Sequence, residues 1–459
     1  MSMQPAVLAT TNPQLTSLVD FRAGFYQCLT RWPDAGFELT DAVLCSPSPV
    51  ASIPALNLEP VFGRSHGSLY KALALGDVDA VKMRDLLVEH RPNDWPLVFA
   101  VDASTWARCD AETSPERGFY YSASTHSAGK PIVAGWSYQW ITQLDWAHNS
   151  WTAPMDVARI SPTQDGISAT TGQIRDLVGR LGHTEQMPLF VFDAGYDAPA
   201  LTDTLTGVDA NIVIRIRDDR VFYTNPDTNG GTHTGRPRRH GHRRKCSEPD
   251  IWPAPDEVSV STDPRYGTVR ASPWHDLHPR LGCRGHWANH EVPPIVTGTI
   301  IRVDVEHFLK PLRAVKKTLW LWAAGPAIDL QACWAGYLRR FDIEHTFRFI
   351  KNTLGWTAPA LCTPQQADRW TWLIAAAYTP NYDWPVRSSK TSDCPGNDGV
   401  NPADSPQRAS VEGFDDLPRS WTHQPVHQND QKLALADPKA PAATDEPAIP
   451  QSRKPHSKV

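Results

Sequence analysis

Hydrophobic residues recur every three or four positions along LTSLVDFRAGFYQCLTRW near the start of the chain, the spacing of one helix face. A Pro/Ser stretch, SPSPVASIP, interrupts this pattern, and HGSLYKALALGDVDAVKMRDLLVEHRP resumes it with a break at Gly76-Asp77. Residues 14–95 are therefore expected to be mostly helical. From Leu97 the pattern changes. LVFAVD is a short, continuous apolar run ending on Asp102, which reads as a buried strand. KPIVAGWSYQWI (around 130–141) and APMDVARI (around 153–160) read as two more strands, and Thr163–Leu181 as a helix. The apolar run Leu189–Phe192 ends on Asp193, with Gly195 permitting a tight turn. A short helix (Pro199–Leu205) and the strand NIVIRIR (211–217) follow.

The order is three strands, helix, strand, helix, strand, with the first and fourth strands each ending in aspartate. That order predicts a ribonuclease-H-like α/β core. Residues 218–325 have another texture: RYGTVRASPW, PPIVTGTIIRVDVEHF and KKTLWLWAAG are β-type runs separated by Pro and Gly, as in a β-rich insertion. YLRRFDIEHTFRFIK (337–351) then reads as one helix, and Gly355 suits its C′ position. Thr363-Pro364-Gln365-Gln366 is a capping box opening a helix through RWTWLIAAAY. Beyond Tyr378 the chain turns Pro-, Asp- and Ser-rich without periodicity, a composition expected to stay disordered. The expected organisation is an N-terminal helical, candidate DNA-binding subdomain (1–95), the first part of the core (96–217), the β-rich insertion (218–325), the last core helices (326–379) and a disordered or aberrant tail (380–459).

Composition narrows the function. The net charge of −5 over 459 residues argues against a uniformly basic, DNA-coating protein. It leaves room for a local basic patch, and GRPRRHGHRRK (235–245) supplies one. Arg236, Arg238, Arg239, Arg243, Arg244 and Lys245, with His240 and His242, read as a phosphate-binding loop; the alternative is a solvated, flexible loop. The eight cysteines include no CxxC pair, a reducing-compartment pattern. His240, His242 and Cys246, with Cys283, His286 and His290, are residue types that ligate zinc, but at an unusual spacing. The N-terminus lacks the features of a signal peptide, and no apolar run is long enough to span a membrane. A cytoplasmic, nucleoid-associated location is expected.

The chemistry centres on the 337–351 stretch. On a straight helix Tyr337, Arg340, Glu344 and Lys351 fall in a stripe about 60° wide, a carboxylate between two cations. An intrahelical ion-pair stripe is one reading, with Arg340 and Glu344 as i, i+4 partners. Asp102 and Asp193 offer another. Two aspartates from adjacent strands and one helix glutamate repel one another unless a divalent cation lies among them. Oxygen-only ligation suits Mg²⁺ or Mn²⁺, and two such ions suit an in-line phosphoryl displacement.

At these residues the chain resembles the cut-and-paste transposases of bacterial insertion sequences, in the DDE class with the Y-R-E-K signature. Tyr337, Arg340, Glu344 and Lys351 match that signature's spacing; VDAS (101–104) and FDAGYD (192–197) resemble its two aspartate motifs. The resemblance covers roughly residues 15–379. It implies a catalytic triad of Asp102, Asp193 and Glu344, holding Mg²⁺ or Mn²⁺, with two ions expected. It implies that Tyr337, Arg340 and Lys351 contact DNA at the transposon end. It also implies a flipped base stacked on an aromatic side chain, with Trp320 or Trp322 as candidates and a core position as the alternative. Double-stranded DNA (terminal inverted repeats and a target) and a second copy of the chain in a synaptic homodimer are the implied partners. Two other readings stay open: a decayed, non-transposing DNA-binding remnant, for which the atypical tail argues, and a general ribonuclease-H-like nuclease.

Overall fold

The helical spacing at the start of the chain becomes five helices and a small ribbon: α1 (Pro13–Cys28), β1 (Leu29–Arg31), α2 (Pro33–Cys45), α3 (Ile53–Leu56), α4 (His66–Leu75), β2 (Asp77–Val78) and α5 (Ala80–Glu89). The structure, a computed structural model, describes residues 13–121, 131–147, 149–226, 238–306 and 318–383. The expected break at Gly76-Asp77 is present. A Cβ on Gly76 would meet the Ala72 carbonyl oxygen at 2.0 Å, and Asp79 opens α5 by accepting from the Val81 and Lys82 amides.

The next segment contains β3 (Val98–Ala107), β4 (Gly118–Tyr121), β5 (Ile132–Leu144), β6 (Thr152–Ile160), α6 (Gly166–Leu181), β7 (Leu189–Phe192), α7 (Ala198–Thr204) and β8 (Asn211–Ile216). Two differences from expectation stand out. Strand β4 had no recognisable signal. And β3 does not end at Asp102; it runs on to Ala107, with Asp102 opposite Trp140 and Ala107 opposite Gly135 on β5. The apolar run marks only the half of β3 that is buried on both faces. Past Asp102 the residues alternate, with Ser104 and Trp106 buried and Ala103 and Ala107 exposed, so the strand continues where the run stops.

The β-rich segment supplies β9 (Val221–Tyr223), β10 (Arg243–Lys245), β11 (Ser259–Asp263), β12 (Gly267–Pro279), β13 (Gly298–Val305) and β14 (Thr318–Ala324). These strands extend the same sheet. Its order is β10-β9-β12-β13-β14-β8-β7-β3-β5-β4, with β11 on β12 and β6 on β5. The β3–β7 and β7–β8 pairs are parallel; the others in this sheet are antiparallel. The chain is thus a mixed α/β protein built on one large mixed sheet.

The chain closes with α8 (Leu330–Arg339), α9 (Asp342–Asn352) and α10 (Pro364–Asp383). The single helix expected over 337–351 is two helices. At the joint, the amides of Arg340, Ile343 and Glu344 donate to the carbonyls three residues back, of Tyr337, Arg340 and Phe341. Such bonds tighten the turn to the 3₁₀ type and re-aim the axis without disturbing the hydrophobic period, which is why periodicity could not reveal the bend. Gly336 lets α8 lie close on the sheet: a Cβ there would stand 2.8 Å from Val98 and 3.3 Å from Val191. After α9, Gly355 takes a left-handed φ of 70°, and the Trp356 amide turns back to the Ile350 carbonyl at 2.8 Å. The Thr363–Gln366 capping box is reciprocal, with both bonds at 3.3 Å. Residues 384–459 of the expected tail lie outside the described residues; residues 380–383 belong to α10.

Beneath α9 the sheet face is a wall of aromatic rings. Trp106, Trp136, Tyr138 and Trp140 of the sheet and Trp356 of the turn after α9 are all buried, at neighbouring centroid distances of 5.4 to 6.4 Å. Rings of this size bury 150–250 Å² each. They give α9 a rigid floor.

Candidate active site

Parallel pairing brings the two aspartates together. The register sets Val101 against Phe192, so Asp102 and Asp193 are the next residues on neighbouring strands. Strands in a sheet lie about 4.8 Å apart. Asp193 leads off the end of β7, and the following turn is held at its far side by Asp197, which caps α7 by accepting from the Ala200 amide at 3.2 Å. The second aspartate of FDAGYD is thus structural.

The guanidinium of Arg340 sits between the aspartates. Its Nη1 donates to Asp102 Oδ2 at 2.9 Å, and its Nη2 stands 3.9 Å from Asp193 Oδ1. That Asp193 oxygen is buried and accepts no hydrogen bond. Glu344, on the first turn of α9, is exposed yet close enough for its charge to act on Asp102, Arg340 and Lys351. Burial pushes Asp102 up to about 6; Arg340 opposes the rise, and the charges of Glu344 and Asp193 add to it. For Arg340, burial works against the charge, but Asp102, Asp193, Tyr337 and Glu344 outweigh it and hold the group above its ordinary value.

The rest of the stripe lies along the same strands. Tyr337 is buried, and the exposed Arg215 of β8 is close enough for its charge to act on the Tyr337 hydroxyl. Lys351 Nζ donates to the Thr105 carbonyl at 3.4 Å and stands 5.6 Å from the centre of the Trp356 ring. Burial lowers the Lys351 pKa, with Glu344 opposing. The intrahelical ion-pair reading therefore fails for Arg340, whose near partner is Asp102 on β3 rather than Glu344 on the helix.

A buried polar chain backs the site. Tyr196 OH donates to Gln139 at 3.2 Å; Gln139 donates to Gln173 at 2.8 Å; and Gln173 and Arg84 both donate to Asp156, at 2.7 and 2.6 Å. Sequence reasoning missed this chain, and it missed Arg215. The alternating arginines of NIVIRIR were the only signal for the latter.

The donor set fits a hard divalent cation: three carboxylates of which one offers a buried, unpartnered oxygen. With Arg340 between the aspartates, no three His, Cys, Asp or Glu side chains among the described residues stand as a ready ion-binding group. The zinc candidates go separate ways. His240 Nδ1 is 3.0 Å from His278 Nε2, Cys246 is buried, Cys283 is exposed and bonds the Glu291 carbonyl, His286 faces Asp203, and His290 packs on Trp287.

The two stacking candidates are core residues. Trp322 is fully buried and donates to Thr202 at 3.0 Å. Trp320 is 5% exposed and packs with Trp252 and Trp274. Both rings are sealed by neighbours, so neither face is open to a base. Of the basic run, Arg236 lies outside the described residues. Arg243, Arg244 and Lys245 form β10, at one end of the sheet, rather than a loop. Glu248 pairs with Arg243 at 3.1 Å and with Lys245 at 3.3 Å. Arg238 is exposed, and Arg239 donates to the Pro293 carbonyl. No helix among the described residues is long and apolar enough to cross a membrane.

Residues 24–280, more than half of the chain, match a family described as DDE superfamily endonuclease. The matched span includes Asp102 and Asp193 and stops before α8 and α9. No curated protein matches the chain.

Proposed function

Because the chain belongs to the DDE superfamily endonucleases, we propose that it is a transposase that cuts DNA at the ends of its own element and joins them to a target. Family membership implies DNA as the substrate. The observation that carries the finer reading is the meeting of Asp102, Asp193, Arg340 and Glu344 from two strands and a helix bend.

Asp102, Asp193 and Glu344 would hold Mg²⁺ or Mn²⁺. When bound, such ions supply an activated water or hydroxyl and neutralise charge on the scissile phosphate. The chain's own residues do the rest. Arg340 exchanges its carboxylate partners for a phosphate oxygen, keeping its charge throughout. Tyr337 and Arg215 flank the Asp193 side of the site, and Lys351 the far end of α9; both positions suit backbone phosphates. The ribonuclease-H-like reading of the core is supported by the β3–β7 parallel pair with Asp102 and Asp193 side by side.

Strand β12 spans from beside the site to the pairing with β9, which carries the basic strand β10. Thirteen residues of strand reach roughly 40 Å, or about twelve base pairs of duplex. Arg238, Arg239, Arg243, Arg244 and Lys245 would then grip the end duplex about one helical turn from the cut.

The test is a duplex bearing the repeats that flank the gene, incubated with the full chain and Mg²⁺ or Mn²⁺. Nicking at the repeat boundary, abolished by Glu344→Gln with binding retained, is the expected result. Binding without nicking in either metal supports the decayed remnant. Nicking indifferent to the repeat supports the general nuclease. Cutting retained by Glu344→Gln removes Glu344 from the site.

A further inference from the structure

Two residues at the tip of the β11–β12 hairpin are buried, although hairpin tips are ordinarily the most exposed part of a sheet. Pairing closes at Asp263 and Gly267, with Gly267 at a φ of 69° and Pro264, Arg265 and Tyr266 between them. Asp263 Oδ1 accepts from the Arg265 and Tyr266 amides at 2.7 and 3.2 Å and fixes the turn. Arg265 and Tyr266 are only 6% and 5% exposed.

What covers them is the α8–α9 bend. Arg265 Nη1 donates to both oxygens of Asp342 at 3.0 Å, and Nη2 donates to the Ala147 carbonyl at 3.0 Å and to the Asn149 carbonyl. Tyr266 OH donates to the Leu338 carbonyl at 2.7 Å. Arg339 also donates to the Ala147 carbonyl and faces Asp263 at 3.7 Å. The tip thus engages the last turn of α8 through Leu338 and the first residue of α9 through Asp342. Between those two contacts lies Arg340, and two residues beyond them lies Glu344.

We propose that Arg265 and Tyr266 are positioning residues for the cutting reaction: through Asp342 and the Leu338 carbonyl they set the α8–α9 bend, and with it the approach of Arg340 and Glu344 to Asp102 and Asp193. This rests on the catalytic reading above. One guanidinium nitrogen spans both Asp342 oxygens while the other holds two carbonyls, and this planar two-nitrogen arrangement fixes direction as well as distance, which the single ammonium of a lysine cannot do. The insertion is then a strut for the catalytic helix as well as a DNA-facing surface.

The test uses the full chain in three forms besides wild type: Arg265→Met with Asp342→Leu, which leaves no buried charge alone, Arg265→Lys and Tyr266→Phe. Each is measured for thermal midpoint, amide exchange over 342–352, binding to a duplex, and single-turnover nicking of supercoiled plasmid against Mg²⁺. In the double variant, exchange over α9 is expected to rise about tenfold or more with little change in midpoint or duplex binding. Nicking is expected to slow about tenfold and to need several-fold more Mg²⁺. Arg265→Lys and Tyr266→Phe, which keep the charge or the ring, are expected to fall between. A folded double variant with wild-type exchange, or with wild-type nicking at the wild-type Mg²⁺ requirement, overturns the proposal. If the double variant does not fold, the two conservative variants decide by the same readouts. If wild type binds but does not nick, the catalytic reading has failed, and α9 exchange alone decides whether the tip sets the bend.

Discussion

Strand β3, flanked in the sheet by β7 and β5, and strand β10 at the sheet's far end both carry charge, and they handle it in opposite ways. At β3 the charge is sunk among strands and helices and balanced across distant segments, with Asp102 against Arg340 of the α8–α9 bend. At β10 three consecutive cations are at least partly exposed, and two of them are balanced by Glu248, three and five residues away. A buried charge needs a partner with fixed geometry because desolvation is costly. An exposed charge is solvated already and contributes little through its local pair. The first arrangement suits chemistry on one phosphate; the second suits a grip on many.

That contrast can be broken at either end. The largest effect is expected at β3 and α9. Asp102→Asn or Glu344→Gln should lower single-turnover cleavage by roughly a thousandfold, about 4 kcal/mol, while gel-shift affinity for the duplex stays within a few-fold. A variant that cuts normally would move the chemistry elsewhere. Next is the buried ion pair beside the bend. Arg265→Met alone removes the ion-pair partner of Asp342, which is 4% exposed, and should cost about 3 kcal/mol in urea unfolding.

Effects at β10 should be smaller and dependent on salt. Arg243→Ala or Arg244→Ala should weaken duplex binding a few-fold and flatten the slope of log affinity against log salt by about 0.9 each. Glu248→Gln should tighten binding by releasing Arg243 and Lys245. No change in the salt slope would show that DNA does not reach this strand.

The smallest effects concern pH, and here the two regions carry opposite signs. Asp102 is raised to about 6, so between about pH 4 and 6 the folded protein holds more protons than the unfolded chain. Its contribution to metal-free stability is present below that range and is lost as pH rises through it. His278 is buried against His240 and lowered, first by burial and then by the His240 and Arg239 charges. Its contribution is present above the ordinary imidazole range and is lost as pH falls through the depressed value. Chemical unfolding from about pH 4 to 8 should show the Asp102 slope vanish in Asp102→Asn and the His278 slope vanish in His278→Gln.

How legible all this was in the chain differs residue by residue. Leu189–Phe192 and Asp193 could be read directly, because a continuous apolar run closed by a polar residue is a local signal. Strand β3 was read only to Asp102, since the alternating half beyond it resembles a loop without its partner β5. The α8–α9 bend left no trace in the 3.6 period. Trp320 and Trp322 drew a stacking role that only their neighbours could rule out.

The sequence by itself determined most of the elements, the capping box at Thr363, the left-handed Gly355 and the choice of Asp102, Asp193 and Glu344 as candidates. These depend on residue spacing and on backbone chemistry within a few positions. Tertiary structure alone decided that Arg340 answers to Asp102 rather than Glu344, that the insertion prolongs the core sheet, and that Arg265 reaches Asp342 across 77 residues. Such partnerships are set by strand register and helix direction, and neither is written in any single stretch of the chain.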